Sequence, residues 1–144
     1  MSLSYHLTTM PWAKVLSKAR EMGYKSHQAR TCGLRIHVNR TAFGDTEKEQ
    51  DEVIARILYF IKKNWDELKV ASRRTARQLE QWCNRIGFQN QPKELLDAAK
   101  KNYRVALNLC NADTVEFRIF RGILRYNTFA ATLRRRYFHA LCRY

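Results

Sequence analysis

Apolar residues recur at two different periods along this chain, and the alternation between them predicts the elements. From Pro11 to Met22, Trp12, Val15, Leu16, Ala19 and Met22 fall at helical intervals, with Pro11 suited to a first turn and Gly23 placed to end the helix. Behind Gly33 the period shortens to two. Leu34, Ile36 and Val38 alternate with Arg35, His37 and Asn39, the mark of a strand with one apolar and one polar face. Gly44-Asp45-Thr46 stops that strand, and Thr46 with Glu49 has the spacing of a capping box opening a long helix. Its stripe of Val53, Ile57, Phe60, Ile61, Trp65 and Leu68 predicts packing across a sheet.

The pattern breaks over Lys69 to Ala76, where Ser72, Arg73 and Arg74 interrupt it. Helix resumes from Ala76 to Ile86 through Leu79, Trp82 and Cys83, with Gly87 as its expected cap. After a polar turn containing Pro92, a shorter helix covers Lys93 to Lys101. Tyr103 to Leu109 reads as a strand with Val105, Leu107 and Leu109 on one side and Arg104, Ala106 and Asn108 on the other. Asn111-Ala112-Asp113 suits a hairpin into Val115 to Phe120, which Gly122 ends. From Thr128 a last helix runs through Phe129, Leu133, Tyr137 and Leu141. The expected fold is therefore α+β, a small antiparallel or mixed sheet with helices packed on one face and the other left open.

Composition adds three constraints. At 144 residues with no linker or low-complexity tract, the chain suits a single domain, 1–144, with a core of its own. Cys32, Cys83, Cys110 and Cys142 lack the spacing of a zinc site or a disulfide framework, which favours a reduced, cytoplasmic setting. No run approaches the roughly 20 apolar residues of a membrane-spanning helix, so no membrane partner is expected. The formal charge of +14, from 27 basic and 13 acidic residues, favours phosphate-bearing partners, nucleotide or nucleic acid alike.

The polar sides of the three predicted strands bring chemistry to one face. The first supplies Arg35, His37 and Asn39, the second Arg104 and Asn108, the third Glu116 and Arg118. Such a set can hold a cation together with anionic oxygens, as a metal–nucleotide site requires. The plainer reading is a solvated surface on which a Glu beside an Arg forms an ion pair worth about 0–1 kcal/mol.

Four segments also carry a family resemblance. Thr31 to Ala42 (TCGLRIHVNRTA), Ala71 to Ala76 (ASRRTA), Ala106 to Ile123 (ALNLCNADTVEFRIFRGI) and Asn127 to Arg134 (NTFAATLR) together resemble the amidoligase family of glutamine synthetase-like carboxylate–amine ligases. The VEFRIFRG stretch after ALNL is its specific part. The resemblance runs in order from about Thr8 to Leu133. It implies a reaction in which ATP and Mg²⁺ activate a carboxylate as an acyl phosphate, which an amine then attacks to form an amide. It implies catalytic roles for Glu116 and Arg118, with Glu116 as metal ligand and Arg118 on phosphate or substrate. His37 matches the second histidine of a GxHxH motif near the nucleotide phosphates, and Arg74 falls in a basic loop expected to meet phosphate oxygens.

Two departures change what is expected. Arg35 stands where the family has its first histidine, and a guanidinium has no lone pair for a metal. It brings positive charge instead. The first ten residues contain no acid, whereas the family domain starts with a strand bearing a Glu-x-Glu type pair, so the chain reads as an incomplete amidoligase-like domain of impaired activity. A missing strand would leave a sheet edge for a second copy or a partner chain to cover. The basic Arg134 to Tyr144 end also departs from the family, and with Arg73, Arg74, Arg77 and Tyr126 it supplies the case for a nucleic-acid-binding module. A non-catalytic interaction protein is the third reading.

Overall fold

The computed structural model describes residues 3–29, 32–85 and 91–134. Along these the order is α1 (Leu3–Thr8), α2 (Trp12–Glu21), β1 (Gly33–Asn39), α3 (Glu47–Lys63), α4 (Trp65–Ser72), α5 (Ala76–Trp82), α6 (Pro92–Lys101), β2 (Leu107–Asn108), β3 (Thr114–Arg121) and α7 (Tyr126–Arg134). The fold is α+β. No helix among the described residues is long and apolar enough to cross a membrane. Ile86, Gly87, Tyr137 and Leu141, to which the sequence pattern assigns helical roles, lie outside the described residues, and the helix predicted from Ala76 ends at Trp82.

The chain divides into two compact units: one joins the segment up to Gly33 with that from Gly122 onward, and the other runs from Leu34 to Arg121. In the first, α2 packs against α7. The Trp12 and Phe129 rings lie 5.2 Å apart, the His6 ring stacks on Trp12, and Leu16, Ala130 and Leu133 are buried with them. Gly23, at φ 80°, turns the chain after α2 as its position predicts.

In the second unit the capping box at Thr46 is formed in both directions. Thr46 Oγ1 accepts from the Glu49 amide at 3.3 Å, and Glu49 Oε2 accepts from the Thr46 amide at 3.0 Å. The helix it starts ends sooner than its stripe suggests. Asn64 turns its side-chain amide onto the Phe60 carbonyl at 2.9 Å, and α4 begins at Trp65. The main partner of α3 is α6 rather than the sheet, with Ile54, Ile57, Leu58 and Ile61 buried on one helix and Leu95, Leu96 and Ala99 on the other. Asp51 holds this region together from α3, accepting from Arg40 at 2.6 Å and from Lys100 of α6 at 2.7 Å.

The three strands lie in the order β1-β3-β2. β2 pairs antiparallel with β3, Leu107 opposite Phe117 and Asn108 opposite Glu116. The Arg40 amide donates to the Asp113 carbonyl, which ties the end of β1 to the start of β3 and sets those two strands antiparallel as well. The predicted strand from Tyr103 shrinks to two residues. Ahead of Leu107 the chain is shared with another segment: the Asn84 amide donates to the Arg104 carbonyl and the Ala106 amide to the Asn84 carbonyl, forming a parallel bridge of Asn84 with Val105.

Candidate functional site

Strand alternation predicts an outward Glu116 and Arg118, yet both are buried, at 4% and 9% exposure. β3 is the central strand, and every residue from Val115 to Phe120 is buried, so both of its faces are covered. At the Arg118 end the cover is the stretch before β2, where Arg118 Nη1 donates to the Tyr103 carbonyl. The polar face is therefore an interior cluster with one open side.

Glu116 is the hub of this cluster. Its Oε2 accepts from Asn108 Nδ2 at 2.7 Å, across the register pair. Its Oε1 is buried and accepts no hydrogen bond from the described residues, but three basic nitrogens surround it. Arg35 Nε stands at 3.3 Å, Arg118 Nε at 3.7 Å and His37 Nε2 at 3.9 Å. His37 Nδ1 lies 3.3 Å from Thr114 Oγ1, a hydrogen bond that orients the ring. Arg118 forms the inner wall, whereas the Arg35 and His37 side chains, on β1, are 60% and 48% exposed.

Of the residues assigned to this face from sequence, Arg35, His37, Asn108, Glu116 and Arg118 come together. Asn39 does not join them, because its Oδ1 accepts from the Thr41 amide and caps the turn after β1. Arg104 turns to Tyr103, its Nε donating to the phenol oxygen at 3.1 Å. Arg74 sits at the far end of β3, where its Nη2 donates to the Phe120 carbonyl at 3.0 Å. Arg74 is thus tied to the strand four residues past Glu116.

Cys83 belongs to the same interior and carried no functional signal in the sequence beyond its place in an apolar stripe. It is fully buried. Burial pushes its thiol up to about 12, against the opposing pull of the Arg74 and Arg118 charges. At neutral pH it is a protonated, apolar filler.

Magnesium takes oxygen ligands in near-octahedral geometry and dehydrates reluctantly. Among the described residues Glu116 is the one carboxylate of the cluster, its Oε2 engaged by Asn108 and its Oε1 closed in by cationic side chains. Among the described residues no three His, Cys, Asp or Glu side chains come together to hold a metal ion. The donor set as it stands does not fit a divalent cation. Two guanidiniums and an imidazole around a single carboxylate leave a surplus of positive charge and of N–H donors, which suits an oxyanion.

Comparison of the chain with family models, curated proteins and solved structures found no match.

Proposed function

We propose that this chain is a nucleotide-binding protein of the amide-forming ligase type, with the Glu116 cluster as its phosphate site. The observation that carries the reading is the Arg35–Glu116 contact, Nε to Oε1 at 3.3 Å. It sets positive charge beside the carboxylate in the position where the family resemblance calls for a metal-associated group. In this reading Arg118 and His37 face the nucleotide phosphates, Glu116 orients the guanidiniums, and Arg74, in its basic loop, is the further residue for phosphate oxygens.

The reaction class follows from the resemblance: a carboxylate attacks the terminal phosphorus of ATP, ADP leaves, and an amine displaces phosphate from the acyl phosphate to form the amide. The burial of Glu116 and Arg118 supports preorganisation of the phosphate contacts, on which phosphoryl transfer chiefly depends. The test is a calorimetric titration with ATP, on the native chain and on His37→Gln and Arg118→Gln. Binding that these substitutions weaken about tenfold is the expected result, and unchanged binding in both variants, or no heat from any of the proteins, overturns the proposal.

The net charge of +14 favours a second reading, nucleic-acid binding through the general positive field. The two readings separate by competition. A single-stranded oligonucleotide that displaces ATP, with an affinity falling steeply as salt rises, favours the second, and one that binds without displacing ATP leaves the first in place.

A further inference from the structure

We infer that the Glu116 cluster binds a phosphate-bearing anion without a divalent cation, Arg35 supplying the positive charge that a metal ion would bring; the inference rests on the nucleotide reading above.

The charges of the cluster are layered. Inside, Arg118 and Glu116 are both buried and offset one another, Nε to Oε1 at 3.7 Å, with Arg118 fixed by the Tyr103 carbonyl. Glu116 Oε2 is held by Asn108. The outer layer is Arg35 and His37, both on the edge strand β1 and exposed over about half of their side chains. Because the inner pair is neutral as a unit, the Arg35 charge is surplus and lies at the solvent side.

Arg35 also has donors to spare. Its contact with Glu116 runs through Nε, so among the described residues both Nη nitrogens remain for a ligand. A guanidinium anchored at Nε and open at its other edge presents the fork that matches two oxygens of a phosphate. The His37 ring, held at Nδ1 by Thr114, adds a nitrogen alongside. The same geometry disfavours a metal ion. To reach Glu116 Oε1 a cation must displace Arg35 and accept the Arg118 charge close by, with no second carboxylate among the described residues to compensate.

The experiment is titration of the full chain with ATP and with inorganic pyrophosphate, in excess chelator and again with Mg²⁺, repeated on Arg35→Ala and Arg35→Gln. Arg56→Ala serves as control, since Arg56 is a similarly exposed arginine on α3. Expected is binding in chelator that Mg²⁺ does not tighten, lost about tenfold or more in both Arg35 variants and kept in the control. Binding that requires Mg²⁺, or that survives loss of Arg35 in chelator, overturns the inference and leaves the nucleotide reading standing. Equal losses in the control and the Arg35 variants mean a diffuse positive field and overturn it too. Absence of binding under every condition overturns the nucleotide reading along with it.

Discussion

Asn108 donates its side-chain amide to Glu116 at 2.7 Å across the β2–β3 pair, and among the described residues it is the one hydrogen bond that the buried carboxylate accepts. A two-residue strand is thereby fixed in register by a polar contact as well as by Leu107 opposite Phe117. Replacing Asn108 by Leu leaves a buried carboxylate short of its donor. The expected cost is about 1–3 kcal/mol in urea unfolding. With Glu116→Leu added, the double variant should lose less than the sum of the two single changes, because the residues act as a unit. Additive losses would show that the contact contributes nothing beyond its parts.

Cys83 gives a prediction on reactivity and on pH. Its thiol is held up near 12 by burial, so a thiol reagent at mildly alkaline pH should label the exposed Cys32 and Cys110 in the native protein and reach Cys83 only after unfolding. Peptide mapping of the labelled chain reads this directly. The folded value lies above the ordinary one of 9.0, so the stability it confers is complete below about pH 9 and is lost as pH rises toward 12. Cys83→Ala should flatten that alkaline limb while lowering stability at neutral pH.

Gly44 is expected to tolerate no side chain. It adopts φ 153°, and a Cβ built there would meet Glu49 Cβ at 2.6 Å. Gly44→Ala combines backbone strain with a push against the capping box, and a loss of about 1–3 kcal/mol is expected in thermal or urea unfolding. An unchanged midpoint would show that the turn has another conformation open to it.

The capping box has its own signature at low pH. The Thr46 amide, then the Thr46 hydroxyl and the Asp45 amide, hold the Glu49 carboxyl below its ordinary 4.5. A depressed folded value means that the contribution is present above that pH and fades as pH falls through the folded value. Glu49→Ala, which removes the carboxylate those amides hold, should destabilise at neutral pH and by less in acid, a convergence that unfolding curves at several pH values would reveal.

Legibility in the sequence followed how local the cause was. The Thr46–Glu49 box and the Gly23 turn depend on residues a few positions apart, and both form as their spacing predicts. The Thr75–Gln78 box was equally local and its spacing alone would have found it. The break at Asn64 depends on a side chain competing for the Phe60 carbonyl, which no hydrophobic stripe reveals. The cluster was legible as a set, since strand alternation put Arg35, His37, Asn108, Glu116 and Arg118 on one side. Its depth was not. Burial of Glu116 and Arg118 comes from β3 being central and from the Tyr103 stretch folding over Arg118, both products of long-range topology. The same distance hid the diversion of Arg74 to the Phe120 carbonyl.

β1 lies at one end of the strand order, with β3 as its sheet neighbour, while it carries the two exposed cations of the cluster. Half of its amides therefore point away from the ladder, and their hydrogens should trade with solvent far sooner than those of Val115 to Phe120. A ligand gripped by Arg35 and His37 would slow that traffic along Gly33–Asn39. The edge strand thus doubles as a built-in reporter, its deuterium uptake registering occupancy without label or assay.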